Sequence, residues 1–267
     1  MFLGIFMGLI IILSSSHWPI IWLGFELNMM CFLACFLKEA KKQAMLYFIL
    51  QSLGSLLILG ASFLSESKFS FLNLIILALV LKLGAAPLHF WLVIVIPRLS
   101  PLGLFLIMSF QKMAPLFLLS SLPLSKDMVS LSNLFLGSIM MLSLSSPLMV
   151  MIFSGVSQMG WMFIIPPSFL KIYMFIYFII LAPVIFYLYS SSLNFFFSML
   201  NVAGLPPFSG FIIKVKAILS LSKKKAFLFL SASGIALSSY SRLLLNKSFS
   251  KDKLSFLTLF SLLVGMV

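Results

Sequence analysis

Residues 69–96 read FSFLNLIILALVLKLGAAPLHFWLVIVI, an apolar stretch that contains one lysine, Lys82, and one proline, Pro87. Crossing the hydrocarbon of a bilayer takes about 20 apolar residues per helix, and this stretch is longer than that. The rest of the chain has the same character: 62% of its 267 residues are hydrophobic, 9% are charged, and the mean hydropathy is +1.21. Because a soluble domain needs roughly 25% charged residues, we expect an integral membrane protein.

Length and charge also exclude several classes of function. The net charge of +13 would suggest nucleic-acid binding in a soluble protein. The apolar helices leave no room for an extramembrane domain, so a nucleotide fold, a soluble catalytic domain and a nucleic-acid reader are all excluded. No basic residue precedes the first apolar run, and we therefore expect the first helix to be retained rather than cleaved as a signal.

Apolar runs separated by polar or proline-bearing breaks predict an all-α bundle of about eleven transmembrane helices in a single domain, residues 1–267. The break between the sixth and seventh segments rests on Pro147 alone, and the last segment is short for a span. The predicted segments are about 1–15, 18–37, 44–64, 69–96, 101–121, 130–147, 149–165, 171–189, 193–221, 226–245 and 254–267.

The distribution of lysine and arginine in the loops predicts the orientation. Loops on the N-terminal side hold seven of these residues, and loops on the opposite side hold six. The N-terminus is therefore predicted to lie inside by a narrow margin. The basic clusters near Lys224 and Lys251 offer contacts to anionic lipid head groups, with ordinary flanking charges at helix ends as the alternative.

Four charged side chains lie inside the predicted spans: Glu26, Lys82, Lys112 and Lys214. A charge near the bilayer centre costs about 2.5–3.5 kcal/mol, so each needs an explanation. One explanation is a static ion pair that fixes helix register. The other is reversible protonation, because burial disfavours the charged form of a lysine and a nearby carboxylate favours it. Three of the charges lie in spans with a nearby proline, which favours proton handling, and His89 just beyond Pro87 is a further candidate relay.

Prolines interrupt two of the long segments. Pro87 lacks the N–H of a regular helix, so we expect the fourth segment to open one turn beyond Lys82. Pro206–Pro207 frees the carbonyls of Val202 and Ala203 in the ninth segment. Irregular backbone at membrane depth is tolerated only where it is buried in protein or lines a hydrated cavity. The two breaks therefore predict two polar places inside the bundle, with a packing kink as the alternative at each.

The two interrupted segments are five apart in the predicted order. A unit of five helices that is repeated once re-enters the membrane in the opposite direction, which is the inverted repeat typical of ion-coupled transporters. We therefore expect antiporter-like inverted five-helix repeats, with halves at approximately 1–121 and 130–245 and a final helix at 254–267.

Cys31 and Cys35 lie one turn apart in an apolar run. This spacing suits neither a zinc site nor a disulfide framework, and the chain lacks the thiolate set of an iron–sulfur centre. We expect two buried thiols, and no metal or cofactor on this chain.

Six short motifs occur together in a fixed order. They are SSHW at 15–18, LGFELNMM at 23–30, KLGAAPLHFW at 82–91, QKMAP at 111–115, QMGWM at 158–162 and GLPPFSGFIIK at 204–214. This set closely resembles the family of mitochondrial NADH dehydrogenase subunit 2. The resemblance covers most of the chain to about Lys216, and the last fifth of the chain adds apolar character alone.

The resemblance implies an antiporter-like subunit in the membrane arm of respiratory complex I, the proton-pumping NADH:ubiquinone oxidoreductase of the mitochondrial inner membrane, with its N-terminus on the matrix side. FMN, iron–sulfur clusters and ubiquinone are then expected on other subunits of the complex. The implied partners are other membrane-arm subunits, including neighbouring antiporter-like subunits, and membrane lipids, with cardiolipin as a candidate.

Matching positions imply that Glu26 and Lys82 are an interacting acid–base pair, that Lys112 is the central relay and that Lys214 is the terminal station. One departure is the stretch 144–156, which has no charged residue where the family usually carries polar and basic ones. Two other functions stay open at this point. One is a free-standing cation/proton antiporter, and the other is a purely structural membrane subunit in which the buried charges are static.

Overall fold

The computed structural model describes residues 2–36, 40–63, 68–122, 126–189, 193–206 and 208–245. These residues form α-helices with one short 3-10 turn and no strand, so the all-α prediction is confirmed within them. The predicted helix 254–267 lies outside the described residues. The α-helices are α1 (Phe2–Ser14), α2 (Trp18–Phe36), α3 (Lys41–Phe63), α4 (Lys68–Leu83), α5 (Phe90–Val95), α6 (Pro101–Met108), α7 (Phe110–Ser121), α8 (Asp127–Ser143), α9 (Pro147–Ile164), α10 (Pro167–Phe186), α11 (Leu193–Ala203), α12 (Ser209–Leu219) and α13 (Lys223–Leu245).

Prolines and a serine define where several helices begin. Pro101, Pro147 and Pro167 occupy first-turn positions of α6, α9 and α10, where the missing N–H has no partner to lose. The side chain of Ser100 accepts a hydrogen bond from the Gly103 N–H at 3.4 Å and caps α6. The predicted break at Pro147 is thus confirmed.

Five helical segments in the described part of the chain are long and apolar enough to cross a membrane. The count of eleven spans is therefore not confirmed, because interrupted and short helices such as α4, α5, α11 and α12 do not reach the length of a span individually. The five segments are Trp18–Cys35, Lys41–Phe63, Pro101–Ser121, Pro147–Ile164 and Pro167–Phe186.

The chain divides into two compact units, Met1–Leu124 and Ser125–Val267. Within the first unit, α2 packs between α1 and α3, and α4 packs against both α3 and α7. Within the second unit, α8 packs against α9 and α13, while α11 contacts α10, α12 and α13. Each unit contains one of the two helices that the sequence predicts to be broken.

Both breaks end in the same main-chain motif. Gly84 has φ +63° and Gly204 has φ +76°, the left-handed conformation that glycine adopts without a steric penalty. After α4 the N–H of Gly84 donates to Leu81 and that of Ala85 donates to Val80. The corresponding pair after α11 runs from residues 204 and 205 to residues 201 and 200. These are Schellman motifs, which satisfy carbonyls at a helix end.

The first break begins earlier than the position of Pro87 predicts. The sequence places the opening one turn beyond Lys82, whereas α4 ends at Leu83. The left-handed turn at Gly84 terminates the helix before the proline is reached. Lys82 therefore lies in the last turn of α4 and not one turn inside it.

A third interruption, at Ser109, is not predicted by the sequence. Its φ and ψ of −117° and −84° divide the predicted segment 101–121 into α6 and α7. The Ser109 hydroxyl donates to the Phe105 carbonyl, a local bond that bends helices. Pro115 inside α7 cannot donate to the Gln111 carbonyl. Lys112 therefore lies between two weakened places in the helix.

Cys31 and Cys35 are free and half-buried, so the prediction of buried thiols is wrong for this chain on its own. They follow Leu27 on one face of α2 at a spacing of four residues. Leu27 is exposed and Cys31 lies against Gly4 of α1, so this face of α2 borders α1 and is only partly covered.

Candidate functional site

Lys82 is bound by the main chain of a neighbouring helix. Its side chain is only 6% exposed, and its Nζ donates to the carbonyl of Gln51 on α3 at 2.9 Å. The amide Nε2 of Gln51 donates back to the carbonyl of Lys82 at 3.2 Å. The ammonium also lies 4.6 Å from the centre of the Phe25 ring, a cation–π distance. Neutral groups therefore provide its immediate contacts.

Gly54 makes room for this lysine on the surface of α3. A Cβ atom at position 54 would lie 2.8 Å from Cγ of Lys82, closer than side chains tolerate. The glycine is one turn removed from Gln51, so the lysine stem crosses α3 at the glycine and ends at the Gln51 carbonyl.

Glu26 binds the same helix, one turn further along. Its half-buried carboxylate accepts a hydrogen bond from the hydroxyl of Ser55. In the described part of the chain the sole ion pair within 4.0 Å joins Lys225 and Asp127, so Glu26 and Lys82 do not touch. They are near enough to interact electrostatically, with the Gln51–Ser55 face of α3 holding one group at each end.

A chain of amides and a phenol lies next to Lys112. Nε2 of Gln111 donates to Oδ1 of Asn28 at 3.0 Å, and the hydroxyl of Tyr47 donates to Oε1 of Gln111 at 3.4 Å. These bonds connect α2, α3 and α7. Asn28 and Tyr47 were not singled out by sequence reasoning, because a single polar group in an apolar run gives no signal of its partner.

Lys112 is 3% exposed. In contrast to Lys82, it makes no side-chain hydrogen bond to any other described residue of the chain. It follows the break at Ser109, to which its own N–H donates at 3.1 Å. The surroundings of Lys112 therefore stabilise an ammonium less than those of Lys82 and Lys214 do.

His89 is buried at the start of α5, where its ring stacks on that of Phe90 at 4.7 Å. Its role as a relay stays a prediction. His17 lies exposed in the connection between α1 and α2.

Lys214 binds the open end of the second broken helix. Its Nζ donates to the carbonyl of Ala203 at 2.7 Å and to that of Val202 at 3.3 Å. These are the two carbonyls that the Pro206–Pro207 pair was predicted to free. The C-terminal end of a helix carries a partial negative charge, so α11 stabilises the ammonium without any carboxylate.

Gly204 lets Lys214 approach this helix end. A Cβ at position 204 would lie 2.9 Å from Cδ of Lys214. In the first unit the corresponding helix end is satisfied by a different donor, since Nε1 of Trp91 donates to the Leu81 carbonyl at 3.1 Å. Each break thus pairs a post-break side chain with a pre-break carbonyl.

A small polar cavity adjoins Lys214. It has about 20 Å³ of space for water and is bordered by Gln158, Tyr173 and Asn201, which is enough for one water molecule. Oδ1 of Asn201 accepts from the Ser209 hydroxyl and the Gly210 N–H, both at 2.9 Å. This amide ties α11 to α12 across the break.

A second cavity, of about 70 Å³, lies on another side of Lys214. It is lined mainly by apolar side chains of α12 and α13, with Ser233 as a hydroxyl. Lys214 borders both cavities. The polar side chains that line the first cavity can bind a water molecule beside Lys214.

These contacts define what the arrangement can do chemically. The buried Lys82 and Lys112 and the half-buried Lys214 lack a carboxylate at ion-pair distance among the described residues. Lys82 and Lys214 bind main-chain carbonyls instead. Neutral ligands in an apolar interior allow an amine to gain or lose its proton without breaking a salt bridge. The described residues contain no group of three histidine, cysteine or acidic side chains that could hold a metal ion.

The chain is similar to known proteins both in sequence and in fold. No protein-family model matches the sequence. The chain is 33% identical to NADH-ubiquinone oxidoreductase chain 2 of Artemia franciscana over 234 residues, which cover 79% of this chain and 76% of that protein. It is 30% identical to the protein of the same name from Lumbricus terrestris over 260 residues, 84% of this chain and 78% of the relative.

The fold also matches a solved structure. A chain of respiratory complex I from Thermus thermophilus superposes with a TM-score of 0.80, covering 99% of this chain and 75% of that one. The two are 17% identical, so this likeness is a statement about the fold alone.

Proposed function

The chain belongs to the NADH-ubiquinone oxidoreductase chain 2 family, and from this membership we propose that it is a membrane-arm subunit of the proton-pumping NADH:ubiquinone oxidoreductase. It is a multi-pass membrane protein. In this proposal the chain carries no redox group, and flavin, iron–sulfur clusters and quinone bind to other subunits. Its own contribution is to move protons through buried amines while quinone is reduced elsewhere.

One observation supports proton movement more than any other: the ammonium of Lys214 is held by two carbonyls at a broken helix end and borders two cavities. A static charge would be stabilised better by a carboxylate. In the first unit Glu26, Lys82 and Lys112 would load and pass a proton, and Lys214 would serve as the station of the second unit.

Replacing each lysine with methionine tests this role. In the intact oxidoreductase, Lys82→Met, Lys112→Met and Lys214→Met should each lower the number of protons moved per NADH oxidised. Lys216→Met is the matched control, because Lys216 is exposed on the same helix two residues beyond Lys214. If pumping and coupled quinone reduction survive all three replacements, the buried charges are structural and the proposal fails.

A free-standing cation/proton antiporter is the main rival. The two functions differ in what must be present for transport. The subunit role requires co-purification with flavin and iron–sulfur proteins, whereas a purified single chain that exchanges cations for protons in vesicles would support the rival.

We further propose eleven spans in two inverted five-helix repeats, with the N-terminus on the matrix side of the mitochondrial inner membrane. The matched Schellman breaks, one in each unit, support a repeated unit. Cysteines introduced by His17→Cys and Lys41→Cys would then be labelled from opposite sides, the first from the intermembrane space and the second from the matrix. Labelling of both from one side would contradict this topology.

Neighbouring antiporter-like subunits and anionic lipids, cardiolipin among them, complete the proposed set of partners. Lys223 and Lys224 are exposed at the start of α13, while Lys225 is engaged by Asp127. Lys223→Gln and Lys224→Gln together should lower the cardiolipin that co-purifies with the complex. An unchanged cardiolipin content would remove these residues from the lipid contact.

A further inference from the structure

Gln158 and Lys214 share one hydrogen-bond acceptor, the carbonyl oxygen of Val202. Nε2 of Gln158 donates to this oxygen at 3.4 Å, and Nζ of Lys214 donates to it at 3.3 Å. A carbonyl oxygen has two lone pairs and can accept both bonds. The amide nitrogen of Gln158 and the amine of Lys214 are therefore neighbours across a single atom.

Tyr173 fixes the orientation of the Gln158 amide. The carbonyl of Val202 can only accept a hydrogen bond, so the nitrogen of the amide must face it. The oxygen of the amide then faces Tyr173, whose hydroxyl donates to it at 2.8 Å. Both side chains are buried, and rotation of the amide would break both bonds at once.

The protonation state of Lys214 decides which partners it needs. An ammonium has three donors and no acceptor, and two of its donors are used on Val202 and Ala203. A neutral amine has a lone pair that accepts a hydrogen bond. The second N–H of Gln158 can supply that bond, directly or through the one water for which the adjoining cavity has room.

We propose that Tyr173 and Gln158 are positioning residues that hold an N–H donor beside Lys214 and thereby stabilise its neutral form. This inference rests on the proposed function, because it requires Lys214 to exchange a proton. An amide does not take up a proton near neutral pH, so Gln158 acts through the lysine and is not itself a station.

Three helices pack against α12, which carries Lys214: α10, α11 and α13. Their titratable side chains are the ones that can influence the charge of this lysine. The sequence of α11 contains no titratable side chain, and neither does that of α9, which carries Gln158. The titratable residues of α10 are Lys171, Tyr173 and Tyr177, and Tyr187 follows directly after this helix. Those of α13 are Lys223, Lys224, Lys225, Tyr240 and Arg242.

The test uses the intact oxidoreductase carrying Gln158→Leu, Tyr173→Phe or both. The number of protons moved per NADH oxidised is measured across neutral and alkaline pH. Loss of the donor to the neutral amine favours the ammonium, so half-maximal pumping should shift to alkaline pH by about half a unit. Because Tyr173 acts through Gln158, the double variant should shift no further than Gln158→Leu.

Tyr240→Phe is the control, because it removes a buried hydroxyl on α13 that lines neither cavity beside Lys214. Its pH profile should stay at the wild-type position. Unchanged profiles for Gln158→Leu and Tyr173→Phe in fully assembled complexes would overturn the inference. If Gln158→Leu does not assemble, Tyr173→Phe decides alone. Lys214→Met separates the two levels. Intact pumping in that variant would remove Lys214 from the proposed proton path, whereas lowered pumping there together with unchanged profiles for Gln158→Leu and Tyr173→Phe would overturn this inference alone.

Discussion

The ammonium of Lys214 lies 2.7 Å from the carbonyl oxygen of Ala203, the last residue of α11. A charge that most proteins would pair with a carboxylate is held here by the end of a helix. Lys82 shows the same preference, since it binds the Gln51 carbonyl while Glu26 binds Ser55. The glycines and hydroxyls around these lysines therefore determine their positions, and three of the four predictions concern them.

Gly54→Ala should displace Lys82. The new Cβ would lie 2.8 Å from Cγ of that lysine, and overpacking of this kind costs about 1–3 kcal/mol. The complex should assemble with reduced thermal stability and pump fewer protons per NADH. Gly60→Ala on the same helix is the control, because nothing lies within 4 Å of its Cβ. Equal pumping by the two variants would contradict the assigned position of Lys82.

Gly204→Ala should impair the second unit. The residue has φ +76°, which costs a side-chain-bearing residue about 1–2 kcal/mol, and its Cβ would push on Cδ of Lys214. We expect a lower melting temperature of the complex together with weaker pumping. Gly234→Ala in α13, where a Cβ meets nothing within 4 Å, should leave both quantities near wild type. Wild-type pumping by Gly204→Ala would show that the helix end does not position the lysine.

Ser55→Ala should alter the behaviour of Glu26. The carboxylate would lose the hydroxyl that binds it, worth about 1–3 kcal/mol for a charged acceptor, and would be free to move toward Lys82. A direct ion pair would hold the lysine charged, so proton pumping should fall while complex assembly is retained. Ser52→Ala is the comparison, since that hydroxyl donates only to Ile49 of its own helix. Identical pumping by both would argue against a role for Ser55.

Asp127→Asn should have little effect. The ion pair between Asp127 and Lys225 is 2.8 Å long, but its side chains are 43% and 41% exposed. Exposed pairs contribute about 0–1 kcal/mol, so the thermal stability of the complex should change by a degree or two at most. A large loss of stability would show that this pair is shielded from water in the assembled complex.

The sequence predicts the all-α class. It also predicts the free carbonyls of Val202 and Ala203, because proline removes a defined N–H and leaves a defined oxygen. It also singles out Lys82, Lys112 and Lys214 as candidate site residues, because each is a lone charge in an apolar run. What it does not contain is the identity of their partners. The Gln51 carbonyl is a main-chain atom 31 residues from Lys82, and every residue has one.

Local chemistry was also harder to predict where a residue has several roles. Ser109 separates α6 from α7, yet serine occurs inside many helices of this chain without breaking them. Gly84 ends α4 ahead of Pro87, and a glycine in an apolar helix is as often a packing residue. Tyr173 reads as part of an aromatic-rich apolar run until its hydroxyl is seen to meet Gln158.

The use of main-chain oxygens as ligands for Lys214 has a consequence for how this protein can diverge. Every amino acid brings a carbonyl, so residues 202 and 203 can exchange their side chains without removing either contact to the ammonium. Substitutions at residues 202 and 203 therefore leave both hydrogen-bond acceptors of Lys214 in place. Selection acts instead on Gly204, which turns the chain, and on Lys214, whose ammonium binds the two carbonyls.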